Sequence, residues 1–147
     1  MLTKATFEDG LKQAMRSGDE LGKGTLRMIL SAIKLAEVER RGALDEAALL
    51  GVLQKEAKAR EETIADAEAA GRSDLAAAAA RELELIRAYL PAPLSAVELE
   101  AFARQAIAEV GASTPADMGR VMKALMPRLQ GRADGKTASD LVRRLLA

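Results

Sequence analysis

The sequence predicts an all-α protein built from two helical parts. Apolar residues recur at helical spacing almost throughout, and no stretch alternates apolar and polar residues for long. The chain has only three aromatic residues, so its core must be made of the aliphatic and methionine side chains that suit close helix packing. Pro91 and Pro93 then interrupt the helical pattern. We therefore predict an N-terminal helical domain over residues 1–90 and a C-terminal three-helix domain over residues 95–147.

The composition excludes several kinds of active site. The 147 residues include neither cysteine nor histidine, so disulfides, thiolate catalysis, cysteine-based zinc sites and histidine general bases are ruled out. No Walker loop, dinucleotide fingerprint, serine-hydrolase elbow or zinc-protease motif occurs. We expect no cofactor and no metal. No apolar run approaches the roughly 20 residues of a membrane span, and the first residues do not resemble a signal peptide, so a cytoplasmic location is predicted.

Acidic residues on the third helix are the remaining candidates for acid–base chemistry. Lysine and arginine lie among them at helix-neighbour spacing, which favours surface ion pairs over catalysis. The acids are Glu56, Glu61, Glu62, Asp66 and Glu68, and the interleaved bases are Lys55, Lys58 and Arg60.

Four helices are predicted before the prolines. The first covers Phe7 to Met15 and ends near Ser17–Gly18. The second runs from Leu21 to Arg41, with Gly42 as its stop and an inner stripe of Leu26, Ile29, Leu30, Ile33 and Val38. Asp45 is the predicted N-cap of the third helix, which ends near Ala70. Ser73 or Asp74 is the predicted cap of the fourth, Leu75 to Leu90, and Tyr89 is predicted to close the joint between the domains.

Three helices are predicted after the prolines. Ser95 and Glu98 form a capping box for the first, which Gly111 ends. Pro115 occupies the first position of the second helix, and Pro127 predicts a kink or an early end between Lys123 and Met126. Asp134 caps the last helix. The apolar positions of the second helix form a single stripe that we assign to the core: Met118, Val121, Met122, Leu125, Met126 and Leu129.

Positive charge is concentrated at the C-terminal end of a chain with no formal net charge. Residues 118–147 hold seven basic and two acidic side chains, a net charge of +5. This asymmetry has two interpretations: solvated outer faces of amphipathic helices, or a surface for an anionic partner. The candidate contact residues for such a partner are Arg120, Lys123, Arg128, Arg132, Lys136, Arg143 and Arg144.

Several motifs resemble those of the YqeY family. They are MGRVMKALMPRLQGRADGK at residues 118–136, the LVRRLL that follows, YLPAPLSAVELE around the prolines, and LRMILSAIKLAEVE on the second helix. The similarity covers essentially the whole chain. It implies an all-helical protein whose C-terminal domain is similar to the tail of GatB, a subunit of the glutamine-dependent amidotransferase that corrects misacylated tRNA.

The resemblance implies contact between the basic C-terminal region and tRNA. The amidotransferase activates its substrate with ATP and Mg²⁺ in the GatB catalytic domain and obtains ammonia from a separate amidase, and neither site has a counterpart in this chain. A carbon–nitrogen ligase activity would thus be inferred only from the similarity of the C-terminal domain to the GatB tail. We predict that this chain is a non-catalytic relative of that enzyme subunit.

Two classes of function stay open. One is a tRNA-binding module, accessory to tRNA amidation, with amidotransferase or aminoacyl-tRNA synthetase components as partners. The other is a protein–protein adaptor whose basic end meets an acidic partner. The scarcity of aromatic residues argues against reading of single-stranded bases and favours structured RNA recognised by phosphate and shape.

Overall fold

The computed structural model describes the whole chain, Met1–Ala147, and confirms the all-α prediction: it has seven α-helices, one 3₁₀ turn and no strand. Contacts divide the chain into two compact units, Met1–Leu90 and Pro91–Ala147. The helices are α1 (Lys4–Ser17), α2 (Glu20–Arg40), α3 (Glu46–Ala69) and α4 (Ser73–Tyr89) in the first unit. The second unit holds α5 (Ala96–Val110), the 3₁₀ turn Pro115–Asp117, α6 (Met118–Leu129) and α7 (Gly135–Leu146).

The N-terminal unit is a four-helix assembly in which α1 packs on α2 and α3 runs along α4. Its largest fully buried side chains include Phe7, Ile29, Ile33, Leu53 and Ile86. These branched and aromatic groups come from all four helices, so burying them ties the unit together.

Tyr89 packs against the apolar core of the N-terminal unit. Its ring lies 5.0 Å from that of Phe7, centroid to centroid, at an interplanar angle of 50°. A Cβ built on Gly10 would lie 2.8 Å from the Tyr89 hydroxyl, so a larger residue at position 10 would force one of the two side chains to shift. The local sequence did not indicate this contact, because the aromatic partner lies on α1. The predicted role of Tyr89 at the joint stays a prediction.

The α3–α4 hairpin continues beyond this core as a pair of closely packed helices. Its buried residues there are all alanines, Ala67, Ala76 and Ala79, and they are not part of the main apolar cluster. Small side chains let the two helix backbones approach closely.

The C-terminal unit is a three-helix assembly with its own apolar core. Leu99, Ala103 and Ala106 of α5 meet buried residues of α6 and α7. The α6 and α7 contributions are Val121, Leu125, Leu129, Ala138, Val142 and Leu146. Each unit therefore has its own apolar core, made only of residues from that unit.

Three predicted helix caps are confirmed. The Asp45 carboxylate accepts from the Ala48 N–H at 2.8 Å, and Asp134 accepts from the Thr137 N–H at 2.7 Å. Ser95 and Glu98 form the reciprocal capping box. Gly111 ends α5 at a φ of 66°, a conformation that glycine adopts without strain.

Two predicted boundaries were wrong. Arg41, not Gly42, adopts the left-handed conformation that ends α2, with φ at 59°. Neither Ser73 nor Asp74 caps α4: the residue before that helix is Arg72, which makes no side-chain cap bond. The backbone N–H of Arg72 instead donates a hydrogen bond to the Ala67 carbonyl at the end of α3, at 2.8 Å. Arg72 therefore connects the end of α3 directly to the start of α4.

Three predictions about packing also need correction. Val38 lies outside the α2 core stripe, with 67% of its surface exposed, and Met126 is 39% exposed. The early end predicted between Lys123 and Met126 does not occur, because α6 continues through Pro127 to Leu129. Leu125 and Leu129 are both fully buried, and their packing offsets the hydrogen bond that the proline cannot donate.

Candidate nucleic-acid interface

The seven cations of the predicted interface lie on α6, on the turn after it and on α7. The structure separates them into two groups. Arg120, Arg128, Arg132 and Arg143 are engaged with other groups of the chain. The side chains of Lys123, Lys136 and Arg144 are exposed and make no hydrogen bond or ion pair.

Arg120 holds together the connection between α5 and α6. Its guanidinium donates to the Val110 carbonyl at 3.0 Å and to the Asp117 carboxylate at 2.6 Å. Asp117 also accepts from the backbone N–H groups of Ser113 and Thr114. The pKa of the Asp117 carboxyl is held well below its usual range, first by the bond from Arg120 and then by these N–H groups.

Arg128 joins α6 to α5 by an ion pair with Glu109. This arginine is only partly exposed, so the pair lies at the edge of the helix interface rather than in open solvent. Its charge is therefore less available to an external anion than the sequence alone suggested.

Arg132 ties the proline-containing segment to the turn before α7. Its Nε donates to the Ala92 carbonyl at 2.8 Å, and its own carbonyl accepts from the Leu94 N–H at 2.8 Å. Residues 92–94 are thereby bonded to the C-terminal unit. The side chain has a structural role that the charge pattern did not indicate, since its acceptor lies 40 residues earlier.

Arg143 forms an exposed pair with Asp140 at 3.1 Å, one helical turn earlier. Exposed pairs of this kind contribute about 0–1 kcal/mol, so an external phosphate can compete for the guanidinium.

Two of the three cations without internal partners, Lys123 and Lys136, lie near the contact between α6 and α7. A Cβ built on Gly135 would lie 3.8 Å from the Met126 Cε, so the last turns of α6 meet the beginning of α7. Lys123 precedes Met126 by one helical turn, and Lys136 directly follows Gly135. Arg144 lies two turns further along α7. The exposed Met126 belongs to this surface, which combines positive charge with one apolar contact group.

The sequence indicates some of the groups that these arginines bind, but not others. Asp117 lies three residues before Arg120, a helix-neighbour spacing that marks a candidate pair. Glu109 and the Ala92 carbonyl carry no such signal, because tertiary packing alone brings them to Arg128 and Arg132.

The predicted surface ion pairs along α3 are only partly present. Of the five candidate acids only Glu56 and Glu61 form ion pairs, and of the three interleaved bases only Arg60 does, which is not on the surface. Arg60 is 7% exposed and bonds Glu56 at 2.7 Å and Glu82 of α4 at 3.1 Å. Glu61 pairs with Arg87 of α4 at 2.7 Å. No group of three or more carboxylates is placed to hold a metal ion.

Comparison with protein-family models decides the family. The model described as Yqey-like protein matches residues 4–146. This chain belongs to the YqeY family. The family resemblance seen in the sequence motifs is thus confirmed over nearly the whole chain.

Several yeast proteins named "Altered inheritance of mitochondria protein 41, mitochondrial" are similar to this YqeY-family chain. The Vanderwaltozyma polyspora protein is 41% identical over 81 residues, covering 54% of this chain and 44% of the relative. The Lachancea thermotolerans protein is 35% identical over 114 residues, covering 76% and 61%. The chain therefore spans about half to three-fifths of the length of these relatives. None of its own helices combines the length and apolarity of a membrane span.

Proposed function

We propose that this YqeY-family chain is a non-catalytic helical module that binds tRNA through its C-terminal unit. The observation that carries the proposal is the set of three exposed cations without internal partners, Lys123, Lys136 and Arg144. A phosphate can bind such groups without breaking an existing ion pair, and phosphate contacts supply much of the affinity of proteins for nucleic acids.

The other cations of the region take secondary roles in this proposal. Arg143 adds a contact by exchanging its exposed Asp140 partner for phosphate. Arg120, Arg128 and Arg132 hold the helices and the proline segment, and their positive charge adds to the field around the unit.

Structured RNA fits this surface better than single strands. Base stacking on aromatic side chains supports single-strand binding, and the only aromatic residue of the C-terminal unit, Phe102, packs against its apolar core. Recognition by phosphate and shape remains, which suits the duplex regions of tRNA.

The role in tRNA amidation rests on the resemblance of the C-terminal unit to the GatB tail. We propose that the chain assists glutamine-dependent amidation, with amidotransferase or aminoacyl-tRNA synthetase components as partners. We propose a cytoplasmic location for it, while the yeast relatives are named as mitochondrial.

A tRNA titration at several salt concentrations tests the proposal. The three free cations alone contribute about −2.7 to the slope of log affinity against log salt, if duplex RNA releases counterions as B-DNA does. Affinity then falls roughly 40-fold between about 50 and 200 mM salt. Replacing the three free cations together, K123Q/K136Q/R144Q, should flatten most of this slope.

The matched control removes the same charge from the N-terminal unit. Lys55, Lys58 and Arg81 are exposed and without internal partners, so K55Q/K58Q/R81Q should keep the slope within about one unit of the wild type. Equal losses in both variants would mean that tRNA responds only to total charge. A wild-type slope retained in K123Q/K136Q/R144Q would overturn the proposal and favour the adaptor function.

A further inference from the structure

The second helix is apolar on two faces, and only one of them is buried. Leu26, Ile29 and Ile33 point into the core. On the opposite side, six exposed residues form what we call the α2 outer stripe: Leu21, Gly24, Met28, Ser31, Leu35 and Val38. An outward helix face in a globular protein ordinarily carries polar and charged residues. The outer stripe therefore needs an explanation other than folding of the unit.

The exposed apolar residues of the stripe are clustered on one helix and not scattered over the surface. Leu21 is 38% exposed, Met28 44%, Leu35 61% and Val38 67%. These are four of the nine large hydrophobic residues exposed in the whole chain, all on one helix. Contiguous exposed apolar surface of this kind marks an interaction site more often than isolated residues do.

The spacing of the stripe matches a helical partner. Leu21, Met28 and Leu35 are seven residues apart, and so are Gly24, Ser31 and Val38. These two rows correspond to the a and d positions of a coiled-coil seam. Nothing lies within 4 Å of a Cβ built on Gly24, so a partner backbone can approach closely there.

The two borders of the stripe differ in character. On one side α3 closes it: the Arg60 guanidinium, already bonded to Glu56 and Glu82, contacts the Met28 sulfur at 3.3 Å. On the other side Arg27 and Lys34, again seven residues apart, are exposed and make no hydrogen bond or ion pair. The same row begins with Glu20, whose charge is paired with Lys23. The unpaired charges of this border are thus basic.

The basic border indicates which kind of partner the α2 outer stripe binds. Two copies of the chain packed antiparallel through this face would place Arg27 and Lys34 against like charges, which is unfavourable. A helix with carboxylates beside its apolar face would instead gain two ion pairs with the same side chains. Near Val38 and Lys34 lies a shallow, open depression of about 520 Å³, where Glu37 is already paired with Lys4.

We propose that the α2 outer stripe binds an amphipathic helix of another protein, one that carries acidic residues along the edge facing Arg27 and Lys34. This interaction surface lies in the N-terminal unit. It is independent of the tRNA contact proposed for α6 and α7.

Two synthetic helical peptides serve as probes for the full chain. Each has about 21 residues, or three heptads, with leucine and alanine on the face for the stripe. They differ only at the flanking positions, which are glutamate in one and lysine in the other. Fluorescence anisotropy should show binding of the glutamate peptide and at least about fivefold weaker binding of the lysine peptide.

Variants of α2 locate the binding. The charge reversal R27E/K34E should invert the preference between the peptides. M28S/L35S should weaken binding of the glutamate peptide at least about tenfold, because apolar contacts with the peptide are lost. Arg27, Lys34 and Leu35 are exposed, so helical circular dichroism should stay near wild type in both variants. M28S/L35S also removes the sulfur that accepts from Arg60, so its thermal midpoint should fall while the helices stay folded. As a matched control, K55E/R81E changes the same charge elsewhere and should keep the wild-type preference.

Several results would overturn the proposal. Equal affinity for both peptides, or binding of neither, would remove the acidic helix as the occupant. A concentration-dependent dimer, seen by sedimentation and abolished by M28S/L35S, would assign the stripe to a second copy. The K123Q/K136Q/R144Q variant should bind the glutamate peptide as the wild type does, so failure of tRNA binding and failure of this proposal are separate outcomes.

Discussion

Arg60 is the only charged residue of the chain that is buried, and it bonds two carboxylates from different helices. A guanidinium offers five donors in a planar fork, so it can satisfy both acids at once. Removing it would leave two partly buried carboxylates side by side. Arg60 is therefore a structural link between α3 and α4.

We predict that Arg60→Ala lowers the free energy of unfolding by roughly 2 kcal/mol, because two charged groups lose their hydrogen-bonding partner. Urea unfolding at neutral pH measures it. The control is Arg87→Ala, which breaks the exposed pair with Glu61 and should cost under about 1 kcal/mol. Equal losses in the two variants would contradict a special role for burial.

Asp117 makes the C-terminal unit sensitive to acid. Its folded pKa lies below the ordinary value of 3.8, mainly because Arg120 and two backbone N–H groups bond the charged form. The resulting stability is present above about pH 4. It is lost as the pH falls toward the folded pKa, since the unfolded chain binds the proton first.

We predict that Asp117→Asn destabilises the protein at pH 7 and that the difference from wild type shrinks by pH 3. Urea unfolding at the two pH values measures this. Asp140→Asn removes a carboxylate that has only an exposed partner and should have little effect at either pH. A pH-independent difference for Asp117→Asn would exclude its ionisation as the cause.

At the scale of elements, the alanine-lined part of the α3–α4 hairpin has little room for larger side chains. Ala79 is 5% exposed, whereas its neighbour Ala80 is exposed. We predict that Ala79→Leu destabilises the protein by about 1–3 kcal/mol through overpacking. Ala80→Leu should stay within about 0.5 kcal/mol of the wild type, because leucine is also a good helix former. Thermal or urea unfolding of both variants measures the contrast, and similar values would show that the helices can separate to admit leucine.

At the scale of the whole molecule, the two units enclose separate apolar clusters, and residues 92–94 are bonded to the second unit through Arg132. Independent folding of each unit remains a prediction. Fragments can test it. The C-terminal domain predicted from the sequence begins at residue 95, whereas the second compact unit begins at Pro91. Only a fragment that begins at Pro91 keeps the bonds between residues 92–94 and Arg132.

We predict that fragment 91–147 folds alone, with helical circular dichroism and a cooperative thermal transition. Fragment 95–147 should melt at least about 5 °C lower, because two hydrogen bonds to Arg132 are lost. Arg132→Ala in the longer fragment should reproduce part of the loss. Equal midpoints for the two fragments would show that the proline segment adds nothing, and an unfolded longer fragment would show that the second core needs the first unit.

Local sequence features were enough to predict the helical class, the approximate bounds of the α-helices, the caps at Asp45, Ser95 and Asp134, and the family. These features depend on local spacing, capping chemistry and motifs, which short stretches of chain contain. The sequence also identified which end of the chain is basic. Tertiary structure alone decided which cations are free: Arg128 and Arg132 are bound to groups distant in sequence, while Lys123, Lys136 and Arg144 are not. It likewise placed Tyr89 on Phe7 and buried Arg60, and it left the α2 outer stripe exposed. Periodicity shows that a helix face is apolar, but only the packing of the other helices determines whether that face is covered.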